Sequence, residues 1–398
     1  MQQTPDTKSI TRSLLVILIV RTTLNTGFRL VYPFLPSLVT GLGISVTAAS
    51  SLVTLRMLAG LAAPVLGPLA DRHSRRAVMA VAMGVMAVAC LLLAGIGTVA
   101  AAALAFILYG LAKVLYDPSM HAYLGDSVPY ARRGRVMGIA ELTWSAAWLI
   151  GVPAAGFLIA RWGWRAPWAV LAVLGAASVA ITLIWLPRNS PRATLPAGQG
   201  MIGAIWGTWR ALLRLRRVRI LLLISLLLAA ANEVMFIVYG TWLQASFGLS
   251  LSAIGLASIA IGLAEVAGEL GTATLTDRLG KRRSVTLGML GLAASLAVLP
   301  LLAGTGLVGA MAGVVVMMLT FEFSIVSLLP LASEVVPEAR ASYLSLTVTA
   351  FSLGRIVAAA AGGWLWASSG SIAANAAAGA ACALLAAVLM ARAMPDVG

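Results

Sequence analysis

Long apolar runs separated by short polar segments follow one another along the whole chain. A helix of about 20 apolar residues crosses the roughly 30 Å hydrocarbon core of a bilayer. The strands of a membrane barrel would alternate polar and apolar residues, and runs such as 221–231 do not. The pattern predicts twelve membrane-spanning helices, numbered here as spans 1 to 12: residues 12–40, 46–69, 76–96, 100–124, 134–159, 165–186, 219–246, 251–275, 284–303, 307–332, 341–368 and 371–393.

The composition also indicates a protein that lies in a membrane. Hydrophobic residues make up 61% of the 398 residues, charged residues only 10%, and the mean hydropathy is +0.98. So little polar surface cannot coat a water-soluble protein of 41.1 kDa. The predicted fold class is an all-α integral membrane protein.

The chain contains two copies of one unit. The segment GPLADRHSRR follows span 2 and TATLTDRLGKRR follows span 8, which places Asp71 and Asp277 206 residues apart. A second pair, Ser127 to Arg132 and Val335 to Arg340, repeats at an offset of 208. Such self-similarity predicts two pseudo-symmetric six-helix bundles, residues 1–186 and 219–398.

Residues 187–218, between the two bundles, differ from both in character. Their first part, PRNSPRATLPAGQG, is typical of a flexible linker. Their second part combines tryptophans and leucines with arginines at helical spacing, which favours an amphipathic helix in the membrane interface. A basic loop that anchors span 7 is the alternative.

The basic residues lie mainly on one side of the predicted membrane. Of the 28 Lys and Arg, 21 fall on the side of the N-terminus, two (Arg161 and Arg165) on the other side, and five inside spans. The positive-inside rule then predicts an inner-membrane protein with both termini in the cytoplasm. The net charge of +15 is explained by short loops that meet anionic headgroups, so no nucleic-acid partner is expected. We expect a monomer.

Twelve spans in two halves, a basic central linker and the motif G-x-x-x-D-R-x-x-R-R between spans 2 and 3 resemble the major facilitator superfamily over essentially the whole chain. The second copy keeps the Asp-Arg pair but has Ala273 at the leading glycine. The resemblance implies a latch on the cytoplasmic side; in the alternative, the arginines only set topology. The predicted gating residues are Gly67, Asp71, Arg72, Arg76, Asp277 and Arg278.

Span 5 carries a weaker signature. Its segment Gly151 to Gly156 resembles the glycine- and proline-rich motif of the family's antiporters, with an extra residue before the proline and an incomplete glycine series. Small residues also let membrane helices pack closely. The equivalent stretch of span 11 ends in another glycine pair, Gly362-Gly363. The segment therefore fits both an antiporter and plain close packing.

Eleven ionisable residues remain inside the predicted spans. Such groups are costly in a membrane and usually face a partner or a water-filled path. Four basic and two acidic residues lie in the first half, against one basic and four acidic in the second, which predicts an electrically lopsided cavity. They are Arg21, Arg29, Arg56, Lys113, Asp117, Glu141, Glu233, Glu265, Glu269, Glu322 and Arg355.

The basic and amide side chains are candidates for binding substrate. Positions 21, 25 and 29 share one face of span 1, and positions 113, 117 and 121 share one face of span 4. The resemblance implies that spans 1, 4, 7 and 10 line the cavity. A structural pair between Lys113 and Asp117 is the alternative at that position. The predicted substrate-binding residues are Arg21, Asn25, Arg29, Arg56, Lys113, Asn232 and Arg355.

The carboxylates are candidates for carrying protons. Glu265 and Glu269 cannot both stay ionised cheaply at close range, so one of them is expected to hold a proton. Glu233 and Glu322 lie on cavity spans with no neighbouring cation in sequence, and they rank first. The predicted proton-coupling residues are Glu233, Glu322, Glu265, Glu269, Asp117 and Glu141.

These features predict a secondary transporter that works by alternating access, binds a small molecule and protons, and lies in the lipid bilayer. No G-x-x-x-x-G-K-[ST] motif is present, so ATP is not the direct energy source. Proton-coupled efflux, an antiport of a small amphipathic or anionic organic compound, is the first hypothesis. A proton-coupled uptake symporter for a sugar or organic acid and an amphiphilic-lipid flippase are the alternatives.

An enzyme is not predicted, because the chain lacks an aspartate cluster or histidine set for a catalytic metal. Two histidines without cysteine partners also argue against a zinc site. No cofactor and no metal are expected.

Overall fold

A computed structural model describes residues 7–62, 73–187, 201–335 and 340–393. The regular secondary structure in these ranges is entirely helical. The predicted spans coincide with helices or interrupted helices: span 1 with Thr7–Arg29 and Leu35–Leu42, span 2 with Val46–Leu61, span 3 with Arg75–Gly95, span 4 with Val99–Ser127, span 5 with Tyr130–Glu141, Thr143–Ala146 and Val152–Trp162, span 6 with Ala166–Trp185, span 7 with Arg216–Phe236 and Tyr239–Phe247, span 8 with Leu251–Leu279, span 9 with Lys281–Gly304, span 10 with Leu307–Val335, span 11 with Arg340–Ser369, and span 12 with Ile372–Ala393.

Ten helices of the described residues are long and apolar enough to cross a membrane, or eleven if the bent pair Leu35–Leu42 and Val46–Leu61 counts as one. Helix Thr7–Arg29 is not among them. It carries polar residues along its whole length, including Arg12, Arg21 and Asn25. The predicted all-α membrane architecture is confirmed.

Within the described ranges three spans are interrupted, and prolines explain two of the breaks. Span 1 leaves the helix between Arg29 and Leu35, around Pro33. Span 5 widens into a π-helical turn at Ala147–Gly151, just before Pro153. Proline has no N–H to donate and its ring crowds the carbonyl four residues earlier, so the helix must adjust there. These breaks lie beside the residues that form the candidate site.

The two halves repeat in detail at one pair of turns. Gly43 ends span 1 and Gly248 ends span 7, each with a φ of 65°. Two residues later, Ser45 and Ser250 cap the next span by accepting hydrogen bonds from backbone N–H groups. A left-handed φ favours glycine, and serine is a preferred N-cap. The repeat therefore extends beyond the basic motifs.

Contacts between the halves close one end of the bundle. We call the end at which span 1 begins the near end and the opposite end the far end. Toward the far end, span 2 packs on span 11, span 5 on span 8, and the second segments of spans 1 and 7 on each other. A Cβ on Gly240 would lie 1.9 Å from the Pro33 carbonyl oxygen, and one on Gly156 3.0 Å from that of Leu251. The far end is therefore tightly packed.

The second part of the predicted linker forms the helix Met201–Arg214, while residues 188–200 lie outside the described ranges. The helix packs against spans 7 and 11. Leu212 is buried, whereas Trp206 is 61% exposed. This two-sided character suits an interfacial helix. Its place in the membrane interface and the boundaries of the two bundles remain predictions.

The predicted latch lies mostly outside the described residues. Gly67, Asp71 and Arg72 fall there, as does the side chain of Asp277. Arg76 donates a hydrogen bond to the Leu186 carbonyl at 2.8 Å, which ties span 3 to the end of span 6. Arg278 is exposed near the end of span 8. The gating role of these residues stays a prediction.

Candidate functional site

Arg21 is the centre of an ionic network inside the first half. It is only 1% exposed. Its guanidinium donates to Asp117 at 3.1 Å, to Glu141 at 3.1 Å and to the Ala140 carbonyl at 2.8 Å. Spans 1, 4 and 5 therefore meet at one buried arginine. Two carboxylates and a carbonyl satisfy most of the donors of this guanidinium.

Lys113 extends this network toward the middle of the bundle. Its ammonium lies 2.8 Å from Asp117 and 2.6 Å from the Asn25 side-chain oxygen, and it stands 3.9 Å from the centre of the Trp144 ring. Asn25 in turn donates to Thr143 at 3.1 Å. The structural pair between Lys113 and Asp117 thus forms, and it neutralises charge within the first half.

His121 connects the same network with the near end. Its Nε2 lies 2.7 Å from Glu141. The two side chains are 44% and 38% exposed, although both belong to predicted membrane spans. Glu141 also contacts the buried Arg21. This pair is therefore the least buried part of the network.

An ion pair joins the halves at the centre. Arg29 on span 1 lies 2.7 Å from Glu265 on span 8, and the indole N–H of Trp148 donates to the same carboxylate oxygen at 3.0 Å. The Arg29 guanidinium stands 4.7 Å from the ring centre of Trp144 and 5.2 Å from that of Trp148. Two tryptophans of span 5 thus hold the cation that binds the opposite half.

A second contact between the halves involves Glu233 on span 7. The Tyr32 hydroxyl donates to it at 3.1 Å, both groups are buried, and the carboxylate interacts electrostatically with Arg355 and Arg56. Arg56 donates to the Phe28 carbonyl and stands 4.1 Å from the ring of that residue. Its Nε and Nη2 are buried without a hydrogen-bond partner in the described residues. Glu233 is therefore bridged to the first half through a tyrosine.

Glu269 and Glu322 flank the central pair. Both interact electrostatically with Glu265 and with Arg29. Glu322 packs against Gly268, because a Cβ added to this glycine would lie 2.8 Å from the Cβ of Glu322. Among the described residues neither carboxylate makes an ion pair. In the described part of the second half, Glu269 and Glu322 therefore lie without an ion pair beside Glu265, which is paired with Arg29.

The site residues predicted from the sequence form two groups in the structure. Arg21, Asn25, Lys113, Asp117 and Glu141 form one cluster within the first half. The rest lie around the contact between the halves: Arg29, Arg56, Glu233, Glu265, Glu269, Glu322 and Arg355. Asn232 is buried beside Glu233, with its side-chain oxygen unpaired in the described part of the chain.

Aromatic residues of the site escaped the sequence reasoning. Trp144, Trp148, Phe28 and Tyr32 all face its charged groups, and Phe236 packs edge-on against Trp148 with 5.6 Å between ring centres. The signal in the sequence was two tryptophans four residues apart in the middle of span 5. Interface anchors lie at span ends, so a mid-span pair indicates an internal role.

The glycine-rich segment of span 5 lies in close helix contacts. A Cβ on Gly151 would meet the Thr26 hydroxyl at 2.0 Å, and Gly156 packs on span 8. The counterpart on span 11 behaves alike, since Gly362 faces the Val234 carbonyl and Gly363 faces Ser50. These contacts fit the close-packing interpretation, and the resemblance to the antiporter motif stays a prediction.

Comparison with known proteins finds similar sequences and a similar fold. The family model of the Major Facilitator Superfamily matches residues 17–359 and 221–397. The uncharacterised MFS-type transporter YceJ of Bacillus subtilis is 26% identical over 347 residues, with 87% of each chain covered. A multi-drug resistance efflux pump PmrA homolog of Lactococcus lactis is 32% identical over 176 residues, 42% of each chain. The solved structure of a D-xylose-proton symporter superposes with a TM-score of 0.78 at 18% identity, covering 97% of this chain and 98% of the other.

Proposed function

The chain belongs to the major facilitator superfamily of transporters, and we propose that it exports a small organic compound in exchange for protons by alternating access. The near end is the cytoplasmic side, because 21 of the 28 basic residues belong to it. In the conformation described, the packed far end and the exposed pair of His121 and Glu141 suit a site that is reached from the cytoplasm.

One observation carries the proposal. The Arg29–Glu265 ion pair connects the halves at 2.7 Å, and Glu269 and Glu322 lie beside it without ion pairs of their own. A carboxylate that holds a proton in one state and loses it in another can change the strength of the contact between the halves. We assign proton carriage to these three residues and to Glu233.

The contacts within the first half bear on the charge of the substrate. The sequence favours an amphipathic or an anionic compound, and binding of an anion would require basic residues of the first half that have no acidic partner. Arg21 and Lys113 are instead neutralised by Asp117 and Glu141. We therefore propose an amphipathic compound, and the name of the similar Lactococcus efflux pump favours export.

The test uses purified protein in liposomes that enclose a pH-sensitive dye. A proton gradient is imposed, and candidate compounds are added one at a time. Compound-dependent loss of the gradient supports proton coupling, and movement of the compound against the proton flow supports exchange. Movement in the same direction as protons would instead indicate the uptake symporter.

A pair of matched variants separates coupling from general damage. Glu322→Gln removes a carboxylate from the centre, and Glu334→Gln makes the same change twelve residues later, at the end of the helix Leu307–Val335. We expect proton-driven transport to be lost in the first variant and retained in the second. Full activity of Glu322→Gln, in folded protein, would remove this residue from the mechanism.

A further inference from the structure

The surroundings of Arg29 have the form of a binding site for a planar cation. Its guanidinium stands against the faces of Trp144 and Trp148 at 4.7 and 5.2 Å, and it lies 2.7 Å from the Glu265 carboxylate. Aromatic faces around one carboxylate are the usual means of holding an organic cation. Here the cation belongs to the protein itself.

In the ion pair, Arg29 and Glu265 each leave one hydrogen-bonding atom without a partner in the described residues. Glu265 binds Arg29 and Trp148 through one oxygen, and its other oxygen is buried without a partner in the described residues. The Nε atom of Arg29 is likewise buried and unpaired there. Arginine and carboxylate can form two parallel hydrogen bonds, so a purely structural bridge would be expected to make both. The pair is therefore open to competition.

We propose that Arg29 is a tethered occupant of the substrate site, and that the substrate is a planar organic cation that displaces it from Trp144, Trp148 and Glu265. This inference rests on the proposed proton exchange and names the substrate class for it. A tethered competitor keeps the site filled when no substrate is bound and must leave when substrate arrives.

The displaced arginine has partners available nearby. Glu269 and Glu322 both interact electrostatically with Arg29 and make no ion pair in the described part of the chain. Once Arg29 moves to one of them, the ionised form of that carboxylate gains a cation, and a proton held there leaves to water. Substrate binding thus releases a proton, which is the linkage that exchange requires. An anionic substrate would have the opposite linkage.

The probe is ethidium, a planar aromatic cation whose fluorescence reports binding, added to the purified full-length protein in detergent. Arg29→Gln removes the tethered competitor, and we expect about tenfold tighter ethidium binding. Arg161→Gln is the matched control, because it removes the same charge from a guanidinium that also stands over a tryptophan ring, 5.8 Å from the centre of Trp162, but is exposed and lies outside the site. Its affinity should stay within about threefold of the wild type, since only long-range charge is lost. Glu265→Gln should lose binding.

Proton release by the wild-type protein is a second readout that needs no variant. Ethidium added in weakly buffered solution should acidify the medium in proportion to the bound fraction. Proton uptake, no proton release, or equal or weaker binding by Arg29→Gln than by Arg161→Gln would overturn the inference. If a compound moves against the proton gradient in liposomes while no form of the protein binds ethidium, the cation site is wrong and proton exchange stands. If ethidium binds as expected but no gradient drives its transport, proton exchange is wrong and the site stands.

Discussion

Asp117 joins two cations inside the first half, and its replacement by asparagine probes what that network contributes. The carboxylate lies 3.1 Å from Arg21 and 2.8 Å from Lys113. Asparagine keeps the shape but removes the charge. Arg21, which is 1% exposed, would retain Glu141 and the Ala140 carbonyl, and Lys113 would retain Asn25 and the faces of Trp144 and Phe28.

The size of the effect follows from burial. Removal of one partner from a buried ion pair typically costs about 3 to 5 kcal/mol, because the other charge stays buried without compensation. Asp117 is 21% exposed and Arg21 keeps a second carboxylate, so we expect the lower end, about 3 kcal/mol. An exposed pair would contribute only about 0 to 1 kcal/mol.

The assay is equilibrium unfolding of the purified protein in mixed detergent and SDS micelles, followed by tryptophan fluorescence. A double variant, Asp117→Asn with Lys113→Met, tests the electrostatic origin of the loss. Replacing both members of a buried pair by uncharged groups is often nearly neutral. We expect the double variant to be more stable than Asp117→Asn alone.

Two results would refute this reasoning. A loss below about 0.5 kcal/mol for Asp117→Asn would place the network among weak surface pairs. A double variant that loses the sum of the two single effects would show that the charges do not compensate each other. Asp117 was also predicted to carry protons. A carboxylate that bridges two cations is a poor carrier, because its protonation removes a counter-charge from both of them, so we expect the folded fraction of Asp117→Asn to retain proton-driven transport.

Three further predictions concern the contacts between helices and halves. Glu233→Gln should abolish proton-driven transport without loss of folded protein, which size-exclusion chromatography and the liposome assay check together. Tyr32→Phe removes the hydroxyl that donates to Glu233 and should reduce the free energy of unfolding by about 1 to 3 kcal/mol, measured by SDS titration. Gly110→Ala should be severely destabilising, because its Cβ would lie 1.9 Å from the Arg56 carbonyl, whereas Gly84→Ala, whose Cβ would meet Val179 at 3.8 Å, should fold normally.

The membrane spans, the internal repeat and the set of charged residues inside the spans could be predicted from the sequence. Each of these features depends on residues that are near one another in the chain. The apolar runs predicted the helices, and the duplicated basic motif predicted the two halves. The i, i+4 spacing of Lys113 and Asp117 also predicted their pair, which forms at 2.8 Å. Local spacing determines which side chains share a helix face.

Partners across helices could not be read in this way. Arg29 and Glu265 are 236 positions apart, and Tyr32 and Glu233 201, so only the packing of one half on the other brings them together. The excess of basic residues in the first half also could not be interpreted from the sequence, since Arg21 meets acids of its own half.

The sequence by itself determined that the protein lies in a membrane, where its helices are, that it contains two copies of one unit, and which charged residues enter the membrane. Only the tertiary structure decided which of those charges cancel, which join the halves, and which aromatic rings enclose them. The physical reason is that burial in the membrane requires each charge to find a partner, while the choice of partner depends on helix positions that no local pattern encodes.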